Sequence, residues 1–278
     1  MGTIDHFHYG WTTPALSYGL SVLGSFLGLL CAVRARDSQS RGRRLWWLNL
    51  AAWAIGGTAI WTMHFMAMLG FDVSGTQIRY DVPVTVASAL IAVATVGVGL
   101  VIVGFGRVGW LRVVLGGLFA GAGVAAMHYV GMGAIRLRGR IDYDPSLVAA
   151  SVLIAVVAAT VALRLAVTVR RTGAVTGAAL LMGVAVSGMH YTGMAAMSVR
   201  LEPTGPDPAG VSASMLLLPI MLLVIFVAFV LFYALLSTPA DDEPTVGGRS
   251  ADGAPVGPVG AWADGPAHGA GGRVPPRS

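Results

Sequence analysis

Three histidines carry the chemistry this sequence offers. They stand in "WTMHFMAML" (61–69), "AAMHYVGMG" (125–133) and "SGMHYTGMA" (187–195), each inside an otherwise apolar stretch. His64, His128 and His190 are each followed four residues on by a methionine, Met68, Met132 and Met194. Neighbours at i, i+4 share one helix face. Met63, Met127 and Met189 directly precede the histidines and reach the same site only from its flank. Imidazole with thioether, without thiolate or carboxylate, suits copper, above all Cu(I), better than magnesium, calcium or structural zinc. His and Met also ligate haem iron in cytochromes, but the sequence has no CxxCH attachment signature. A reduced metal with an open position binds O2, CO or NO. Tyr129, Tyr191 and Phe65 follow the histidines directly; a phenol there can support a ligating imidazole through a hydrogen bond or simply pack. His6 and His8 in "DHFHYGW" are further imidazoles on the same predicted side.

The competing reading is packing. A His–Tyr pair in a membrane helix can bridge neighbouring helices, and methionine fills gaps. Duplication would copy such a feature as faithfully as a ligand set. Against it, ionisable groups inside a membrane are costly and mark functional sites by default.

The elements that must position these residues are transmembrane helices. The 278 residues are 55% hydrophobic and only 11% charged, with mean hydropathy +0.74, against about 25% charged in soluble domains. Apolar runs of the length that spans a bilayer are predicted at about 14–33, 46–69, 83–105, 111–134, 146–165, 175–198 and 214–236. The expected fold is all-α and polytopic, with seven helices. Two-helix units repeat three times, and the seventh helix is left over. "RYDVPVT" and "DYDPSLV" open corresponding helices, and glycines precede each histidine in "GGTAIW", "GGLFAGAG" and "MGVAVSG". A two-helix period keeps the topology of each unit, so the three histidines reach one depth near one face. Pro219 is expected to kink the last span.

All 18 basic residues are arginine, so their placement matters more than their number. "RARDSQSRGRR", Arg107, Arg112, Arg164, Arg170 and Arg171 concentrate on one side, which the positive-inside rule makes cytoplasmic. The N-terminus is then outside and the histidines lie near the outer face. "RLRGRIDYD" dissents, with three arginines on the predicted outside. The charge of +5 is therefore no sign of nucleic-acid binding. The N-terminus lacks the basic stretch of a cleaved signal, and a lone cysteine, Cys31, builds no disulfide framework. The expected membrane domain covers 1–237. Residues 238–278, rich in Gly, Pro and Asp, read as a disordered cytoplasmic tail.

These motifs resemble the MHYT-domain family of bacterial integral-membrane sensors, over about residues 5–200. Met189-His190-Tyr191-Thr192 matches the family tetrad verbatim; Val130 replaces Thr in the second copy, and Phe65 and Met66 replace Tyr and Thr in the first. The resemblance implies sensing of O2, CO or NO through copper held by the motif Met and His residues. Many members carry cytoplasmic output domains. This sequence reads as a stand-alone version without enzymatic activity, seated in the bacterial plasma membrane and signalling through a separate partner. The rivals are a metal-handling or transport protein and a structural bundle with packed His/Tyr pairs. No Asp, Glu or Lys lies deep in the spans, which argues against an ion-coupled carrier.

Overall fold

A backbone in hydrocarbon must satisfy its own polar groups, so long apolar runs fold as helices. The structure, a computed structural model, describes residues 4–5, 8–106, 109–202 and 207–237. His6, Arg107 and the expected tail at 238–278 lie outside the described residues. Among the described residues, six helices are long and apolar enough to cross a membrane. They are α1 (Thr12–Asp37), α4 (Val82–Gly104), α5 (Trp110–Gly133), α6 (Pro145–Thr168), α7 (Thr172–Ala195) and α8 (Ala213–Ser237).

The run expected at 46–69 is helical too, but in three consecutive pieces. These are α2 (Arg41–Ala52), a π-helical segment (Trp53–Thr62) and α3 (Met63–Met68). The backbone bonds of the π segment span five residues, the wide π pattern, and the Thr62 hydroxyl also donates to Gly57 O, five residues back, at 3.0 Å. Such turns are rare and gather at functional sites; this one ends directly before Met63-His64. Each of the six long helices starts one to three residues before its expected start. α1, α6 and α8 also run past their expected ends, whereas α4, α5 and α7 stop one to three residues short. In α1 the extra last turn carries Arg34 and Arg36, cations favoured at a helix C-terminus. α8 runs without a break through Pro219, where the sequence predicts a kink; the ring falls in the second turn, near the helix start.

Six of the helical runs close a ring. α1 packs on the π segment and on α7, α4 on the π segment and on α5, and α6 on α5 and α7. The first helix of each repeat (α1, α4, α6) thus alternates with the second, which carries the histidine. Small residues let the backbones approach: a Cβ on Gly56 would stand 2.7 Å from Ala92 O of α4, and one on Gly121 would collide with Val156 of α6. α8 lies outside the ring, chiefly against the π segment, with only Val224 and Leu231 of its residues buried.

Three antiparallel pairs cap the end of the ring nearest the histidines. β1 (Ile4–Asp5) pairs with β2 (Asp72–Val73), β3 (Arg79–Tyr80) with β4 (Ile135–Arg136), and β5 (Gly139–Tyr143) with β6 (Met197–Leu201). Each pair ties the segment before a repeat's first helix to the segment after its second. Asp81 and Asp144, from the matched "RYDVPVT" and "DYDPSLV", do the same work in their copies. Their amides donate to Ala134 O at 2.9 Å and Ala196 O at 2.8 Å. Their carboxylates cap α4 and α6, accepting from Val84 N at 3.2 Å and from Ser146 N at 2.8 Å. The dissenting arginines are accounted for here. Arg136 pairs with Asp81 at 2.8 Å and Arg138 with Asp207, while Arg140 sits opposite Arg200, itself paired with Asp142 at 2.9 Å.

Candidate metal centre

The repeat delivers what its spacing predicts: His64 from α3, His128 from α5 and His190 from α7 meet in the middle of the ring. Each is at most 1% exposed. Their ring centroids are 5.0, 5.0 and 5.2 Å apart, with interplanar angles of 76°, 83° and 85°. Three near-perpendicular blades at near-equal spacing describe a pseudo-threefold propeller. Each imidazole offers one nitrogen, and these three atoms lie within 4.8 Å of one another. His64 Nδ1 is 3.1 Å from His190 Nδ1. His64 Nε2 and both nitrogens of His128 lack hydrogen-bond partners among the described residues.

Buried polar atoms are almost always satisfied; His64 Nε2 and His128 Nε2 stand against Gly131 and Gly193, which leaves His128 Nδ1 as the unpaired nitrogen apart from the His64–His190 contact. Nitrogens about 2.0–2.1 Å from a shared metal lie roughly 3.3–3.6 Å apart in trigonal or tetrahedral geometry. The His64–His190 separation of 3.1 Å lies just below that range, and the three ligand atoms lie within 4.8 Å of one another. The donor set therefore fits a metal ion, and among the described residues no Asp, Glu or Cys joins the group.

Residues that the sequence reading passed over shape the propeller. Three positions after His128 and His190 stand Gly131 and Gly193, and each receives the imidazole of the preceding repeat. A Cβ on Gly131 would lie 2.6 Å from His64 Nε2, and one on Gly193 would collide with His128 Nε2. The signal was present as "HYVGM" and "HYTGM", with Ala67 at the matching place in the first copy.

The phenol hydroxyls turn toward the neighbouring first helices of the repeats. Tyr129 Oη is 2.6 Å from Ser151 Oγ on α6, and Tyr191 lies toward Ser17 on α1. In the first copy Phe65 has no hydroxyl, and Trp61 Nε1 instead donates to Ser88 Oγ of α4 at 3.0 Å. Ser17, Ser88 and Ser151 are fully buried and each donates to the carbonyl three residues back. The aromatic rings stand edge-on beside the imidazoles, with centroids 4.9–5.0 Å away. Met63, Met68, Met127, Met132, Met189 and Met194 are all buried, none more than 3% exposed. His8 is exposed, 4.0 Å from Asp5, and stands outside the three-histidine group.

A closed helical ring of three repeats, apolar outside and holding ionisable rings at its centre, is the architecture of a multi-pass membrane domain. The chain belongs to the MHYT family, described as a bacterial signalling protein N-terminal repeat, which it matches at residues 57–116, 121–179 and 183–242. It is a multi-pass protein of the bacterial inner membrane. Over 198 residues it is 39% identical to the bifunctional diguanylate cyclase/cyclic di-GMP phosphodiesterase MucR of Pseudomonas aeruginosa, covering 69% of this chain and 28% of that protein. It is 36% identical over 214 residues to the cyclic di-GMP phosphodiesterase NbdA of the same organism, covering 75% and 27%. The signaling protein YkoW of Bacillus subtilis is 29% identical over 208 residues, covering 72% and 26%. This chain thus spans little more than a quarter of the curated relatives it matches. No solved structure matches it.

Proposed function

We propose that this chain is a copper-dependent membrane sensor of O2, CO or NO. The observation that carries the reading is the buried propeller of His64, His128 and His190, one ligand nitrogen from each lying within 4.8 Å of the others, with unpaired nitrogens on His64 and His128. Neutral ligands leave the full charge of the metal uncompensated inside the bundle. The desolvation cost scales as charge squared, so a monovalent ion incurs about a quarter of the penalty of a divalent one. Cu(I) is the soft, monovalent choice for imidazole and thioether. Copper so held supplies an open position for a diatomic ligand. The protein holds the ligand nitrogens by packing each ring edge-on against an aromatic neighbour and, for His64 and His128, against a glycine of the next repeat. The six motif methionines are buried on the helices that carry the histidines, and any thioether ligand would come from among them.

In this reading Arg41–Met68 counts as one span, which makes seven. The N-terminus and the strand cap face outward, and α8 ends in the cytoplasm. The side with Arg34, Arg36, Arg41, Arg43 and Arg44 is then inside, and ion pairs offset the outer arginines. The names of the relatives make cyclic di-GMP turnover the process such a sensor would govern, through an output domain or separate partner.

Metal analysis of the purified protein tests the proposal. We expect about one copper per chain, lost when His64, His128 and His190 are all replaced by Ala in a protein that remains folded. A folded wild type that takes up no copper when offered it sinks the proposal. The direct His64–His190 contact favours a second, metal-free reading, in which the imidazoles bond one another as a polar core. In that case the triple variant loses stability and copper was never bound.

A further inference from the structure

Beneath the propeller α4, α5, α6, α7 and the π segment line an apolar cavity of about 50 Å3 that is partly open on one side. Its walls include Ile60, Val124 and Val186, the residues four before His64, His128 and His190 respectively, together with Met189. Four residues of α-helix rise about 6 Å, so the cavity is coaxial with the imidazoles and one turn below them. No ionisable side chain lines it. A water needs roughly 10–15 Å3 of such space and two to four polar partners. The space is thus ample for a diatomic molecule, and the walls offer water nothing to bond. Empty cavities of this kind stay dry and take up xenon or small apolar molecules.

We propose that this cavity is a binding site for diatomic gas, a chamber that concentrates O2, CO or NO one helical turn from the imidazoles. The occupant is set by size and polarity: small and without hydrogen-bonding demand. The gas arrives from the bilayer, where apolar gases dissolve better than in water. The wall on that side is thin, being built from alanines of α6 and α7. Ala158, Ala159, Ala162 and Ala185 are only half-buried. This assignment rests on the sensor reading for its purpose but not for its test.

Xenon binding to the full-length chain in lipid nanodiscs provides the test. It is followed by methyl NMR shifts of Ile60, Val124, Val186 and Met189, with and without copper. We expect saturable shifts in metal-free protein, and at least about a tenfold loss of xenon affinity in Ala159→Leu, whose added carbons fill the chamber. Copper content of Ala159→Leu should equal that of wild type, which also reports that it is folded. Should Ala159→Leu fail to fold, Val124→Ala enlarges the chamber and should strengthen xenon binding; unchanged binding overturns the proposal. So does the absence of saturable shifts in wild type, or their survival in folded Ala159→Leu. Shifts seen in detergent but absent in nanodiscs assign the space to a lipid acyl chain and overturn it as well. Xenon binding without any copper uptake leaves the chamber standing and fells the sensor reading; copper uptake without xenon binding does the reverse.

Discussion

Replacing Gly131 by alanine separates a ligand site from a packed core. A Cβ there would stand 2.6 Å from His64 Nε2 and 3.2 Å from Cδ2, whereas ordinary contact begins at 3.4 Å. The imidazole must therefore retreat by about 0.8 Å from its nitrogen end, as the difference between those distances requires. Overpacking of this kind costs typically about 1–3 kcal/mol. Alanine returns about 1 kcal/mol through its better helix propensity, so the net loss of fold stability is on the order of 1 kcal/mol. A metal site tolerates far less, because ligand distances must hold to about 0.2 Å. A shift of the calculated size should lower copper affinity at least tenfold while the protein stays folded. The assay is a copper titration against a competing chelator, beside a thermal melt in the same detergent. A folded Gly131→Ala variant whose copper affinity stays within about threefold of wild type would refute the reasoning from geometry to ligation.

Other perturbations read the scaffold. Ser151→Ala leaves the Tyr129 hydroxyl buried without its 2.6 Å partner, so it should cost about 1–3 kcal/mol by thermal melting, with copper content unchanged. Asp81→Ala removes both the cap of α4 and the 2.8 Å pair with Arg136. It should lose about 1–2 kcal/mol, mostly as the cap, and the melting difference should shrink only slightly in high salt. The Ser146 hydroxyl, then the Leu147 and Ser146 amides, hold the Asp144 carboxyl below its ordinary value of 3.8. A depressed carboxylate stabilises the fold above that pH and loses the contribution as pH falls through its lower folded value. Asp144→Ala should therefore melt lower than wild type at neutral pH, and the gap should close under acid.

The helices, the threefold repeat and the meeting of the three histidines were legible because hydropathy and spacing are linear signals. A period of two helices forces equal depth whatever the side chains do. The identity of the metal was not legible, since ligand softness restricts the choice without closing it. Gly131 and Gly193 were visible only as letters; their purpose depends on an imidazole arriving from another repeat, which no local pattern encodes. The phenols were read as neighbours of His because they follow it in sequence. On a helix, however, consecutive residues diverge by about 100°, and Tyr129 reaches α6 instead. The π segment escaped notice because its composition is that of any apolar helix. What distinguishes it is a turn width that sequence periodicity over ten residues does not resolve.

That segment also gives the ring a direction. Three equivalent sectors around a central ligand pull equally, and a disturbance at the centre has no preferred way out. Trp53–Thr62 is where the equivalence fails, and it is also the main seat of α8. Beside it, Phe65, Met66 and Leu69 share a small apolar space with Leu216, Leu217, Ile220 and Met221. One spoke of the wheel is wound to a different pitch, and among the described residues it is the spoke that seats the helix outside the rim. Of the three histidines, His64 is the one whose run packs against α8 most extensively.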